Sequence, residues 1–126
     1  MKKYDRNQAP FGWYIGSYVL RFIERRAQGN NNPRKKFLAW ENTVIVKAKN
    51  LSHAYDKIVT LGKKQTKPYK GGPDGIDVQW LFEGVTRVLP IYEELKDGAE
   101  IMWAEYEGTS LRKIRSWAKS KAQVRQ

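Results

Sequence analysis

The chain has 126 residues, with 24 Lys and Arg against 13 Asp and Glu, a net charge of +11 and no cysteine. Its 40% hydrophobic and 13% aromatic content can bury a core, which excludes a chain disordered throughout. Without cysteine, disulfides, zinc ribbons, iron–sulfur clusters and thiol nucleophiles are excluded too, and no apolar run approaches the roughly 20 residues that cross a bilayer.

The opening Met1-Lys2-Lys3-Tyr4-Asp5-Arg6-Asn7-Gln8 leads into no apolar signal region, so the expectation is a soluble, cytoplasmic protein. Trp13 to Arg26 alternates as a long strand that is largely apolar on both faces. Ala27-Gln28-Gly29-Asn30-Asn31-Asn32-Pro33 is loop chemistry. A second strand is expected from Lys36 to Lys49, around the β-branched run Thr43-Val44-Ile45-Val46, pairing with the first as a hairpin.

Ser52 is placed to N-cap a short helix that ends near Leu61 and closes at Gly62, with Ala54, Tyr55, Ile58, Val59 and Leu61 as its apolar stripe. Lys63 to Pro73 reads as a basic loop. Gly75 to Gly84 alternates again, with Ile76, Val78, Trp80 and Phe82 on one face. Pro90 marks Val85 to Tyr92 as an edge strand or irregular link. Asp97-Gly98 is a turn signal, and Glu100 to Glu107 is expected to form a further strand.

A closing helix is expected from Ser110 to Ala122, with Leu111, Ile114, Trp117 and Ala118 on one face, turned toward the sheet. The expected fold is α+β: a mostly antiparallel sheet in the order β-β-α-β-β-α with two helices packed on it. Residues 1–126 read as a single domain, with 11–108 as its body and 109–126 as a basic closing helix. Trp13, Trp80, Phe82, Trp103 and Trp117 fall on core faces; Tyr14, Tyr18, Tyr69 and Tyr106 are the candidates for surface contact.

No catalytic set can be named. His53 has no second histidine or cysteine near it in the chain and reads as a capping or solvated residue, so no metal site is expected. Glu93, Glu94 and Asp97 form the densest carboxylate group, but neighbours in sequence point apart and read as a solvated face. Gly71-Gly72-Pro73-Asp74-Gly75 lacks the Gly-Lys-Ser/Thr ending of a phosphate loop. The expectation is a non-enzyme without cofactors.

Charge is more informative. Residues 71–108 hold nine acidic and two basic residues, whereas the rest of the chain is basic. Three basic sets stand out: Arg25, Arg26, Arg34, Lys35 and Lys36 around the hairpin loop; Lys63, Lys64, Lys67 and Lys70, with Tyr69 among them; and Arg112, Lys113, Arg115 and Lys119 on the closing helix. Such a balance speaks to partners and not to fold.

Trp40-Glu41-Asn42 leading into Val44-Ile45-Val46, Ala54-Tyr55 followed by Leu61-Gly62, Trp80-x-Phe82-x-Gly84, and the block from Leu89 to Ile101 together resemble the bacterial family known as domain of unknown function 4288. The resemblance runs from about Gly12 to Gly108. It implies a small stand-alone α+β protein of bacterial type, and it carries no catalytic residues onto these positions. Members of that family are often acidic, which implies that the basicity here serves a partner of this chain.

The favoured expectation is a protein-binding module, an immunity or inhibitor protein that neutralises an acidic partner such as a bacterial toxin through these basic residues. The alternative is a nucleic-acid-binding protein that uses the basic loops and the closing helix. No membrane role is expected, because the helix's apolar stripe is narrow.

Overall fold

The computed structural model describes residues 5–126. The first strand, β1 (Trp13–Glu24), turns through an ordered loop into β2 (Ala39–Lys47); helix α1 (Leu51–Lys63) follows, then a short strand β3 (Tyr69–Gly71), a long strand β4 (Ile76–Pro90) and a short helix α2 (Leu111–Trp117). The four strands form one antiparallel sheet in the order β2-β1-β4-β3. This is the α+β architecture expected, with the hairpin of β1 and β2 in place.

β1 lies in the middle because it is apolar on both faces. Tyr14, Ile15, Tyr18 and Leu20 are almost wholly buried. The even-numbered side chains face α1, where Ile58 presses on Gly16 and Gly62 sits over Phe82 and Tyr18. A Cβ at Gly62 would stand 2.5 Å from Phe82, so Gly62 serves as a helix-interior contact and not as the expected closing residue; the helix runs on to Lys63. Full burial of a side chain such as Ile58 is worth about 1.5–3 kcal/mol.

Several expectations are corrected. The helix is capped by Asn50, whose side chain accepts the His53 N–H at 2.8 Å, and not by Ser52. Starting two residues earlier lets Leu51 pack on the core. His53 Nδ1 accepts the Lys49 N–H at 3.0 Å, so its ring closes the same turn.

Val85 to Pro90 is an edge strand and not an irregular link: it continues β4 through Gly84, paired with β1 on one side, while β3 reaches only Ile76 to Val78 on the other. Two register shifts, opposite Ser17/Tyr18 and Val19/Leu20, each insert an extra residue in β4. Each insertion flips the alternation once, so Trp80, Phe82, Val85 and Val88 all reach the core despite their uneven spacing. Gly84 sits in this irregular stretch with φ +149°.

Glu100 to Glu107 forms no strand. Met102 Sδ lies 3.5 Å from Arg87 Nη1 and Trp103 stacks near Tyr92 at 5.8 Å, beside a strand whose bulges break the regular ladder a further strand needs. The closing helix spans only Leu111–Trp117 and packs on no other element. Ser110 caps it through the Lys113 N–H at 3.2 Å. Its ring contact is local, Trp117 lying 4.8 Å from Tyr106 in the preceding loop; so short a helix gains little, and Ser116 Oγ donates to Lys113 O at 2.6 Å, a competing local bond.

The aromatic assignments also change. Trp103 and Trp117 are exposed, whereas Tyr14 and Tyr18 are core residues. Each buried tyrosine hydroxyl has a partner: Tyr14 Oη accepts the Ala9 N–H at 3.2 Å and Tyr18 Oη accepts from Gln65 Nε2 at 2.7 Å. A phenol so satisfied is buried at little cost.

Candidate binding face at the basic end of the sheet

A mismatch of lengths creates the site. The 13 residues of α1 make a rod of about 20 Å, whereas the 12 residues of β1 extend about 40 Å. The last turn of α1 ends over Tyr18 and Phe82. Beyond it, no helix among the described residues packs on the same face of the sheet.

Strand alternation fills that open half with apolar side chains. Phe22 and Trp80 are cross-strand neighbours with rings 5.1 Å apart, and Trp40 lies 4.8 Å from Trp80. The Phe22 N–H donates to Leu38 O at 2.9 Å, which extends the β1–β2 register by one pair and sets Leu38 beside Phe22. On the other side Tyr69 pairs with Val78, and Ile76 follows on the same face. Leu38, Trp40, Tyr69 and Ile76 are 55%, 54%, 46% and 45% exposed. Exposed apolar groups gathered at one end of a sheet, on β2, β3 and β4, mark an interaction surface, unlike single ones scattered over a protein.

Cations surround this end. Lys63 Nζ lies 5.9 Å from the centre of the Phe82 ring, within cation–π range, and Lys64 caps the helix next to it. Arg25 and Arg26 follow β1, while Arg34, Lys35 and Lys36 lead toward Leu38, and Lys67 precedes Pro68 and Tyr69. Asp77 alternates with Ile76 and Val78 and so stands on the opposite face. It joins Lys70 in an ion pair and Arg26 in another at 3.3 Å. The hydrogen bond from Lys70, with the charges of Lys70, Arg26 and Arg25, holds its carboxyl below the usual aspartate range against a smaller opposing effect of desolvation.

Of the basic residues singled out in the sequence, two sets therefore meet at one end of the sheet, though not on one face. Arg26 and Lys70 wrap to the back. Lys35 is engaged within its loop, donating to Gln28 O at 2.6 Å, while Arg21 lies 4.5 Å from the Phe37 ring and bonds Glu83 at 2.8 Å. Arg25, Arg34, Lys36, Lys63, Lys64 and Lys67 are exposed and in no ion pair among the described residues. The third set, Arg112, Lys113, Arg115 and Lys119, is carried by or follows α2 and is brought to the others by no contact between elements.

The opposite end holds the carboxylate cluster alongside Lys47, Lys49 and Lys57. Glu93, Glu94 and Asp97 follow Pro90, which pairs with Tyr14 near the start of β1, and all three are exposed. Glu93 Oε2 accepts the Glu100 N–H at 3.2 Å, an ordinary loop bond. Among the described residues, no three His, Asp or Glu side chains are grouped to hold a metal, and no helix is long and apolar enough to cross a membrane.

The open half-face is what sequence reading missed. Its signal was available in the expected lengths, since a helix ending near Leu61 is too short to roof a strand running from Trp13 to Arg26. The closing helix was expected to supply the missing cover.

The family model described as domain of unknown function (DUF4288) matches residues 13–103. The chain belongs to that family. No curated protein and no solved structure matches it. Membership in the DUF4288 family covers all four strands and α1, so the open half-face lies within the family's unit. α2, with Arg112, Lys113 and Arg115, and Lys119 beyond it lie outside the match.

Proposed function

We propose that this protein is a non-catalytic binding module that docks an acidic protein partner on the open half of its sheet. The observation that carries the reading is the group of Leu38, Trp40, Tyr69 and Ile76, exposed together beside Lys63, Lys64 and Lys67. Interfaces draw most of their affinity from a few aromatic anchors, with charge at the rim setting encounter rate and choice of partner. Here the anchors are Trp40 and Tyr69, and the rim favours carboxylates.

Two aliphatic side chains within the group favour a protein over nucleic acid. Stacking surfaces for bases are built from aromatics and arginine, whereas Leu38 and Ile76 offer a base nothing to stack on. An inhibitor or immunity role in a bacterial cytoplasm fits this design: a small scaffold covers an acidic face of a toxin and needs no chemistry of its own.

The test uses immobilised wild-type protein and a Trp40→Ala, Tyr69→Ala double variant with nuclease-treated bacterial extract, followed by identification of what is retained. The reading expects an acidic protein held by the wild type and released by the variant. In parallel, labelled random single-stranded RNA is titrated across a salt series. Submicromolar RNA binding at physiological salt, beyond the roughly 10⁻⁴–10⁻⁶ M that charge alone supplies, and lost in the variant, would replace this reading with the nucleic-acid one.

A further inference from the structure

The two edges of the sheet are built differently. Exposed edges invite pairing with other chains, and proteins blunt them with short strands, prolines, lysines and bulges. On one side β3 has three residues between Pro68 and Pro73, and β4 beyond it carries two register shifts and ends at Pro90. On the other side β2 has nine residues, pairs with β1 without a break, contains no proline and has lysine only at its last position.

The outward groups of β2 can be identified. Phe22 N–H donates to Leu38 O and Ala48 N–H to Gly12 O, both at 2.9 Å. An antiparallel ladder alternates, so the even-numbered residues of β2 bond inward to β1. Ala39, Glu41, Thr43 and Ile45 then point N–H and C=O away from the sheet, and none of these groups has a partner among the described residues. α1 rests mainly over β1 and β4 and reaches this edge at its end, where Lys57 Nζ donates to Lys47 O at 2.6 Å; that carbonyl keeps its second lone pair for a partner strand.

We infer that β2 pairs antiparallel with β2 of a second copy about a two-fold axis at Val44. In that register Glu41 lies directly across from Lys47 of the second copy, and the pair occurs twice by symmetry. Both side chains stand on the face away from α1, where Glu41 Oε2 accepts from Thr86 Oγ1 at 2.7 Å and Lys47 Nζ lies 5.7 Å from the centre of the Trp13 ring; turning outward they form opposite-charge pairs across the seam, which are favourable. Centring the axis on Thr43 instead sets Glu41 against Ile45 and Lys47 against Ala39, with no charge pair. Antiparallel pairing also points the two basic ends in opposite directions, which limits repulsion between highly charged copies. This inference uses the outer backbone edge of β2, whereas the proposed partner uses the side-chain face that begins at Trp40, and either can fail without the other.

Sedimentation velocity of the full chain across a concentration series reads the result directly. The wild type is expected to dimerise reversibly; Glu41→Lys and Lys47→Glu each raise the dimer Kd by about tenfold or more. The combined swap, Glu41→Lys with Lys47→Glu, restores it. Thermal melts confirm that each variant is folded, and if either charge variant is not, Ile45→Lys carries the test, because a lysine on the exposed edge abolishes pairing. A wild type that stays monomeric at its highest soluble concentration overturns the inference. So does a folded Glu41→Lys or Ile45→Lys that associates like the wild type, or a folded swap that fails to restore the dimer.

Discussion

Gly16 offers the sharpest test of the packing, because propensity and geometry predict opposite signs there. Replacing a strand glycine by alanine ordinarily gains about 0.5–1 kcal/mol, since alanine has less backbone freedom to lose. Here the added Cβ would stand 1.9 Å from Ile58 Cδ1 and 2.4 Å from Cγ1, against a carbon–carbon contact of about 3.5–4.0 Å. Ile58 is fully buried and cannot swing into solvent, so helix and sheet must part. Overpacking of this kind costs about 1–3 kcal/mol; after the propensity gain, Gly16→Ala is expected to destabilise by about 1–2 kcal/mol. That corresponds to a drop in Tm of roughly 3–10 °C for a chain of this size. Ile58→Ala alone should cost about 2–5 kcal/mol. Combined, the new methyl occupies space that the isoleucine vacated, so the double variant should be more stable than the sum of the singles by about 1 kcal/mol or more. Urea unfolding followed by far-UV circular dichroism measures all three. A Gly16→Ala as stable as the wild type, or a double variant that is strictly additive, would refute the account of α1 seated on β1.

Three further outcomes are expected. Asn50→Ala removes the cap from α1 and should lower stability by about 1 kcal/mol in the same urea titration, while Ser110→Ala leaves the midpoint unchanged because α2 packs on no other helix or strand among the described residues. Removing residues 110–126 should leave the Tm of the remaining chain within about 2 °C, measured by calorimetry; a large drop would show that the tail covers the sheet after all. The lowered pKa of Asp77 means that its ion pairs stabilise the fold fully above the ordinary aspartate range and lose that contribution as pH falls through the lowered value. Asp77→Asn should therefore lower Tm at neutral pH and converge with the wild type in strong acid, a pattern that parallel melts across the acid range would show or deny.

The parts of the fold legible in the sequence were those governed by local chemistry. Alternation from Trp13 onward, the β-branched run at Thr43, and Ser110 as a cap each needed only neighbours in the chain. What failed depended on distant partners. The extra residues in β4 cannot be counted without knowing what lies opposite Ser17 and Val19, so the pattern after Gly84 looked like a break. Tyr14 and Tyr18 looked like surface groups because nothing nearby in sequence shows that Ala9 and Gln65 will satisfy their hydroxyls. The helical stripe of Leu111, Ile114 and Trp117 is real in the sequence, yet a stripe does not say whether a surface exists to receive it. At the candidate site the basic residues were evident from composition, whereas the apolar half-face beside them arises only when α1 stops short.

The central place of β1 has a consequence for how the chain is made. Its pairing with β2 can form early, but Leu20 must wait for Phe82, about sixty residues later in synthesis. At a ribosomal rate of about 5–20 residues per second, a strand apolar on both faces spends several seconds with one edge unpaired and α1 without its second support. During that interval the nascent chain depends on dilution or a chaperone, and moving β4 still later by insertion into the loop before it lengthens the wait in proportion.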